Sequence, residues 1–326
     1  MSNVRTDLAL ETREMYHKDN SNNEVPGVEV TVDNEEEGIT VTSVKILDAV
    51  GARIMGKEIG TYVTMEIPGM RHYDVNFHDK LSKAFGKELS KIVNIKKDSV
   101  AMVVGLGNWN VTPDALGPRV VSKLMVTRHL KKYIPDEIEE GINSVCAISP
   151  GVLGITGIET AEIVQGAVSK VKPDIMIVID ALASRKLERV ATTIQIGNTG
   201  LSPGSGVGNK RMEFTQATMG IPVIAIGIPT VVDGATMAND TLDLIIDKLV
   251  EESKDNKELF KMVNSINKDE KYIMIRELLN PYIGDLMVTP KEIDSLIDDA
   301  AKIIANGINI ALHTGIGLND INRYIH

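Results

Sequence analysis

Val103-Val104-Gly105-Leu106-Gly107-Asn108-Trp109-Asn110-Val111-Thr112-Pro113-Asp114-Ala115-Leu116-Gly117-Pro118 is the stretch whose reading decides the fold. It continues an apolar run that begins at Val100, which reads as a buried strand. Two glycines then let the backbone turn sharply. Thr112 is a good N-cap and Pro113 suits a first helical position, so the spacing predicts a helix from there to about Thr127. Asp114 falls in its first turn, at the carboxyl end of a strand, where open α/β sheets bind ligands. An acidic residue at a helix N-terminus is also favoured by the helix dipole alone.

Working outward, the same alternation of apolar strand and amphipathic helix recurs. Strands are expected near residues 100, 145, 175 and 223, with helices at Asn76 to Ile92, Glu159 to Val171 and Thr236 to Val250. That order predicts an α/β fold whose mostly parallel sheet is sandwiched by helices. Gly27 to Val32, Ile39 to Leu47 and Gly60 to Pro68 alternate in polarity and read as antiparallel N-terminal strands. Thr289-Pro290-Lys291-Glu292 reads as a capping box before a last amphipathic helix. Residues 251–270 are highly charged and read as an exposed connection.

Composition narrows the function. The chain has 326 residues, a net charge of −10 and only 4% aromatic residues, which favours aliphatic α/β cores. So acidic a chain is a poor general partner for nucleic acid or an anionic membrane. The one cysteine, Cys146, lies in an apolar run and reads as a buried inert thiol of a reducing cytoplasm. No apolar run approaches the roughly 18 residues of a membrane span, and the polar N-terminus does not resemble a signal peptide.

Three constellations could carry chemistry. Asp114 and Asp180 each follow a continuous apolar strand, so both can reach one crevice. Burial and mutual repulsion would keep a proton on one of them near neutral pH while the other stays ionised. That pair could activate a water and protonate a leaving amine; two unrelated structural aspartates would leave the same pattern. Gly200-Leu201-Ser202-Pro203-Gly204 has the spacing of a nucleophile elbow, with His313 downstream. Pro203, however, lacks the N–H that an oxyanion hole needs after the serine. In Gly204-Ser205-Gly206-Val207-Gly208-Asn209-Lys210-Arg211 the Walker pattern fails at Asn209, and Lys210 and Arg211 are left to receive an acidic peptide or to form a solvated turn. The 6 histidines show no metal-ligand spacing, so neither a metal nor another cofactor is expected.

Several of these segments together resemble the germination proteases of spore-forming bacteria. The likeness covers the Gly105–Pro118 stretch, Pro150-Gly151-Val152, Gly154 to Thr160, Ile179-Asp180-Ala181-Leu182-Ala183, Pro203 to Arg211, Ile221 to Asp233 and Leu286 to Glu292. The resemblance implies an atypical aspartic endopeptidase of the spore core, in the cytoplasm, whose fold is similar to the hydrogenase-maturation endopeptidases. It implies a homotetramer whose substrates are small acid-soluble spore proteins. The family's two essential aspartates fall on Asp114 and Asp180. The family is made as a self-processing zymogen, and its substrates are cut after an acidic residue that follows Thr. Thr6-Asp7-Leu8-Ala9 has that form, which implies a pro-segment of residues 1–7, self-cleavage between Asp7 and Leu8, and one peptidase domain over residues 8–326. Two rivals remain at this point: a serine hydrolase using Ser202, and a non-catalytic binder of acidic peptides.

Overall fold

The computed structural model describes residues 6–20, 23–35, 38–71, 75–96, 98–204, 211–252, 268–283 and 286–313. Within them nine strands make one sheet. They are β1 (Val28–Glu35), β2 (Ile39–Ile46), β3 (Gly60–Glu66), β4 (Val100–Gly105), β5 (Ser144–Ile148), β6 (Ile175–Ser184), β7 (Thr193–Gly197), β8 (Val223–Asp233) and β9 (Met287–Val288). Their spatial order is β1-β2-β3-β7-β8-β6-β4-β5, with β9 beside the end of β8. The segment β8-β6-β4-β5 is parallel. β1, β2, β3 and β7 run antiparallel to their neighbours. The fold class is therefore the expected one, a mixed sheet with a parallel core and antiparallel N-terminal strands.

Period-two alternation explains why helices cover both faces of the parallel core. Ala101, Val103, Ile175, Ile177, Ile179, Ile224 and Ile226 bury against one side, under the helices Val75–Ile92 and Ile293–Leu312. Met102, Val104, Met176, Val178 and Val223 face the other side, under the helix Thr160–Val171. Asp180 shares the parity of Met176 and Val178, so it points to this second face. A third cluster joins the N-terminal helix Ala9–Asp19 to β2 and β3 through Ala9, Val44, Ile46 and Tyr62.

Three local expectations are corrected by tertiary contacts. Thr112 does not cap a helix: its hydroxyl donates to Asp294 of the C-terminal helix at 3.0 Å. Thr112–Asp114 is instead one 3-10 turn, followed by a short helix, Leu116–Val121. Thr289 likewise makes no capping box; its hydroxyl donates to the Thr230 carbonyl, and the last helix starts at Ile293. β6 does not stop at Asp180 but runs to Ser184. The region 251–270 contributes helix at its two ends, while residues 253–267 lie outside the described residues.

Candidate active site

β4 delivers the chain to the site. Leu106 N–H donates to the Ile179 carbonyl at 2.8 Å, which ties the turn after β4 to β6. The turn then doubles back on itself, and Asn108 N–H is held by both the Asp114 carbonyl (3.1 Å) and Asp114 Oδ2 (2.8 Å). Gly107 makes this closure possible: its φ is +113°, and a Cβ there would lie 1.9 Å from the Asp114 carbonyl oxygen. Gly105 and Gly117 permit a second close approach, since a Cβ on Gly105 would lie 2.2 Å from the Gly117 carbonyl oxygen. The glycines of the opening motif thus press the Asp114 turn against the end of β4.

Asp180 lies on β6 and is nearly inaccessible, at 7% exposure. Its partner in β8 is Gly227, and its Oδ1 accepts from the Ala181 N–H at 2.9 Å. Burial, then the charges of Asp114 and Asp7, push its carboxyl well above the ordinary value. Burial also raises Asp114, and the Asn108 N–H works against that rise. Asp180 is thus the group that holds a proton more firmly, and Asp114 the one more readily ionised. A coupled pair still titrates as a unit.

Both aspartates line one cleft of about 1110 Å³, and so does Asp7. The N-terminal segment reaches this cleft at Asp7, which bonds to Ala183 of β6 through its backbone N–H and its side chain. Asp7 N–H donates to the Ala183 carbonyl at 3.0 Å, and Asp7 Oδ2 accepts from the Ala183 N–H at 2.9 Å. Ala183 lies just beyond a register shift in β6, between Leu182 and Ala183. Leu8 is wholly buried, and its N–H donates to Thr6 Oγ1 at 3.1 Å. Thr6 Oγ1 in turn donates to Glu11. Glu11 is 1% exposed; it accepts from the Arg185 and Lys186 N–H groups and pairs with the Arg189 guanidinium.

The Asp7 carbonyl oxygen accepts from Lys57 Nζ at 2.8 Å and from Gln195 Nε2 at 3.1 Å. Burial lowers the pKa of the Lys57 ammonium, and the negative charges of Asp7 and Glu11 oppose that effect. Neither residue belongs to a motif, so nothing local in the sequence marks them. Only the pairing of β7 with β8 brings Gln195 to the site, through its partner Gly227.

The chain matches the family model described as "Germination protease" over residues 7–264 and 250–325. It belongs to the germination protease family. A germination protease of Clostridium perfringens is 57% identical over 326 residues, covering 100% of both chains. One of Clostridium tetani is 55% identical over 323 residues, covering 99% of both. One of Bacillus cereus is 45% identical, covering 99% of this chain and 97% of its own. A solved NiFe hydrogenase maturation protease, HycI of Thermococcus kodakarensis, matches 44% of this chain and 80% of its own, with 17% identity and a TM-score of 0.28. Membership makes the chain an endopeptidase of the aspartic type.

The rival motifs fare differently within this family member. Ser202 does line the cleft, but His313 does not. His313 is 1% exposed, and its Nδ1 accepts from the Asn143 N–H at 3.3 Å. Burial lowers its pKa to about 4. The structure thus brings no histidine to Ser202 among the described residues. Arg211 lines the cleft with Glu159, 3.7 Å away, as an ion-pair partner. Lys210 lies outside the described residues. Asp233, in another matching segment, holds structure: its Oδ2 accepts from Thr236 N–H and Oγ1 at the start of the helix Gly234–Glu252. Cys146 is half-buried, and burial raises its thiol pKa. Among the described residues no group of three or more His, Cys, Asp or Glu could hold a metal ion. No described helix is long and apolar enough to cross a membrane.

Proposed function

We propose that this peptidase is made as a zymogen that cuts its own Asp7–Leu8 bond, and that the form beginning at Leu8 starts the degradation of small acid-soluble proteins in the spore core during germination. Asp114 and Asp180 carry both reactions. The Asp114 carboxylate takes a proton from a water whose oxygen attacks the Asp7 carbonyl carbon. Asp180 gives its proton to the Leu8 nitrogen as the carbon–nitrogen bond breaks. The products are a carboxyl on Asp7 and a free amine on Leu8. The dyad's one proton has moved from Asp180 to Asp114, and exchange with solvent restores the start. Substrates in trans would place an acidic residue where Asp7 lies, with Arg211, which lines the cleft, and its sequence neighbour Lys210 receiving further acidic side chains. A homotetramer is part of the same proposal, drawn from the family resemblance.

One observation carries this reading. Asp7 lines the cleft that both aspartates line, bonded to Ala183 of β6 and near enough for its charge to act on Asp180, and Leu8 is buried beside it. The relatives' name, germination protease, supports the spore proteins as substrates. The test is intact mass after mild acidification, for wild type beside Asp180→Asn. Loss of residues 1–7 from wild type alone is expected. Loss from both would mean that another group, or another protease, makes the cut.

A further inference from the structure

We propose that Lys57 and Gln195 are catalytic residues, the pair of donors that binds the carbonyl oxygen of the bond being cut and stabilises its negative charge in the tetrahedral intermediate. The proposal rests on the reading that Asp7–Leu8 is a bond the enzyme cleaves. Two side-chain donors from separate parts of the fold converge on one oxygen, at 2.8 and 3.1 Å. That is the arrangement an acyl-transfer site needs, because donors fixed in advance cost no reorganisation when the charge appears.

The orientation of each donor is set by its surroundings. Gln195 Oε1 accepts from the Ala9 N–H at 2.7 Å, so its Nε2 must face the Asp7 carbonyl. The amide therefore spans the scissile residue Leu8 from one side to the other. Lys57 follows the short helix Ala49–Met55, which is capped by the Asp48 carboxylate. Its Nζ lies 5.7 Å from the Tyr62 ring, a contact that holds the ammonium over an aromatic face. Burial disfavours the cation, and the negative charges of Asp7 and Glu11 oppose that effect.

The sheet register places the pair opposite the dyad. Gln195 and Asp180 are both partners of Gly227, one in β7 and one in β6. Directly paired residues share a face. Ile194 and Ile196 bury on the opposite face, under the helices Val75–Ile92 and Ile293–Leu312. Gln195 and Asp180 therefore stand on one face about 10 Å apart, two strand spacings, with a glycine between them. A peptide carbonyl and its attacking water fit that gap, with the oxygen turned to Gln195 and Lys57.

Two folded variants of the full chain test this, Lys57→Met and Gln195→Glu, the second keeping the acceptor that holds Ala9. Each is followed for the rate of loss of residues 1–7 by intact mass. Each is also followed for kcat and KM on a peptide copying Thr6 to Glu11. Removal of one such donor lowers kcat about 10²- to 10³-fold. Both self-processing and peptide kcat should fall by that factor, with KM within about threefold. A loss confined to KM would make the contacts ground-state binding only and overturn the proposal. So would a cooperative melt together with kcat within tenfold of wild type in either variant. Should Lys57→Met lack a cooperative melt, Gln195→Glu decides. A wild-type mass showing a cut at another bond overturns the Asp7–Leu8 reading itself, before any variant is compared.

Discussion

Replacing Gly107 by Ala should separate the stability of the fold from the geometry of its site. The Cβ would lie 1.9 Å from the Asp114 carbonyl oxygen, where real Cβ contacts do not fall under 3.0 Å. The two strands of the turn must therefore move apart by about 1.1 Å or more. The φ of +113° adds strain of its own, on the order of 1–2 kcal/mol for a side chain forced out of the right-handed region. Forced overpacking adds about 1–3 kcal/mol. Together these come to roughly 2–5 kcal/mol, so the melting midpoint should fall by about 3–7 °C in a chain of this size. Relief of the clash pulls Asp114 away from the Asn108 N–H that holds both its carbonyl and its carboxylate. A displacement near 1 Å at a catalytic group costs about 100-fold in rate. The assay is a thermal melt beside a time course of self-processing by intact mass, at a temperature well below both midpoints. A variant that melts within a degree of wild type, or stays folded and processes at the wild-type rate, would refute the role given to this glycine.

Asp180→Asn should abolish cleavage and also raise stability at neutral pH. Burial raises the folded-state pKa above its ordinary 3.8, so the folded chain binds the proton more tightly than the unfolded chain. The wild type accordingly loses stability as pH climbs from about 4 through the raised value, by about 1.4 kcal/mol for each unit of the rise. Melting curves of both proteins should coincide in acid and diverge in favour of Asn toward neutrality; a constant difference would contradict the assignment. Ser202→Ala should keep kcat on the peptide within about twofold, and a loss of orders of magnitude would bring the serine back into the mechanism. Arg189→Met strips a 4% exposed guanidinium from Glu11, Glu14 and Glu66, leaving three carboxylates without their common partner. Breaking such a buried network costs about 3–5 kcal/mol, so denaturant melts should shift by that amount and limited proteolysis should reach the Ala9–Asp19 helix first.

The parallel core was legible because its strands are continuous apolar runs, Val100 to Val104, Ile175 to Ile179 and Val223 to Ile228, which only burial on both faces explains. The position of Asp114 was legible because glycines and Pro113 punctuate the turn after β4. The end of β6 was not. Ala181-Leu182-Ala183-Ser184 has no β-branched residue, and it is extended because β8 pairs with it and Asp7 bonds to the Ala183 backbone. Two expected helix caps failed for one reason. The Thr112 and Thr289 hydroxyls found tertiary partners, Asp294 and the Thr230 carbonyl, that a local pattern does not contain. Lys57 and Gln195 escape a motif reading altogether, since each carries meaning only through the oxygen they share.

The proposed self-cleavage makes a demand on the shape of the N-terminal segment. Asp7 is tied to Ala183 of β6 by its backbone N–H and by its carboxylate. Leu8 is extended, with φ −84° and ψ 125°, and the helix begins at Ala9. The change from extended chain to helix therefore falls between Leu8 and Ala9, one residue beyond the Asp7–Leu8 bond. Thr6 joins the two conformations: its hydroxyl accepts the Leu8 N–H and donates to Glu11, one turn into the helix. In the proposed self-cleavage, a threonine before the acidic residue therefore shapes the peptide. Valine at position 6 matches threonine in shape and lacks the hydroxyl. Thr6→Val should accordingly slow self-processing and leave the cleavage of a separate threonine-containing peptide unchanged once the segment is gone.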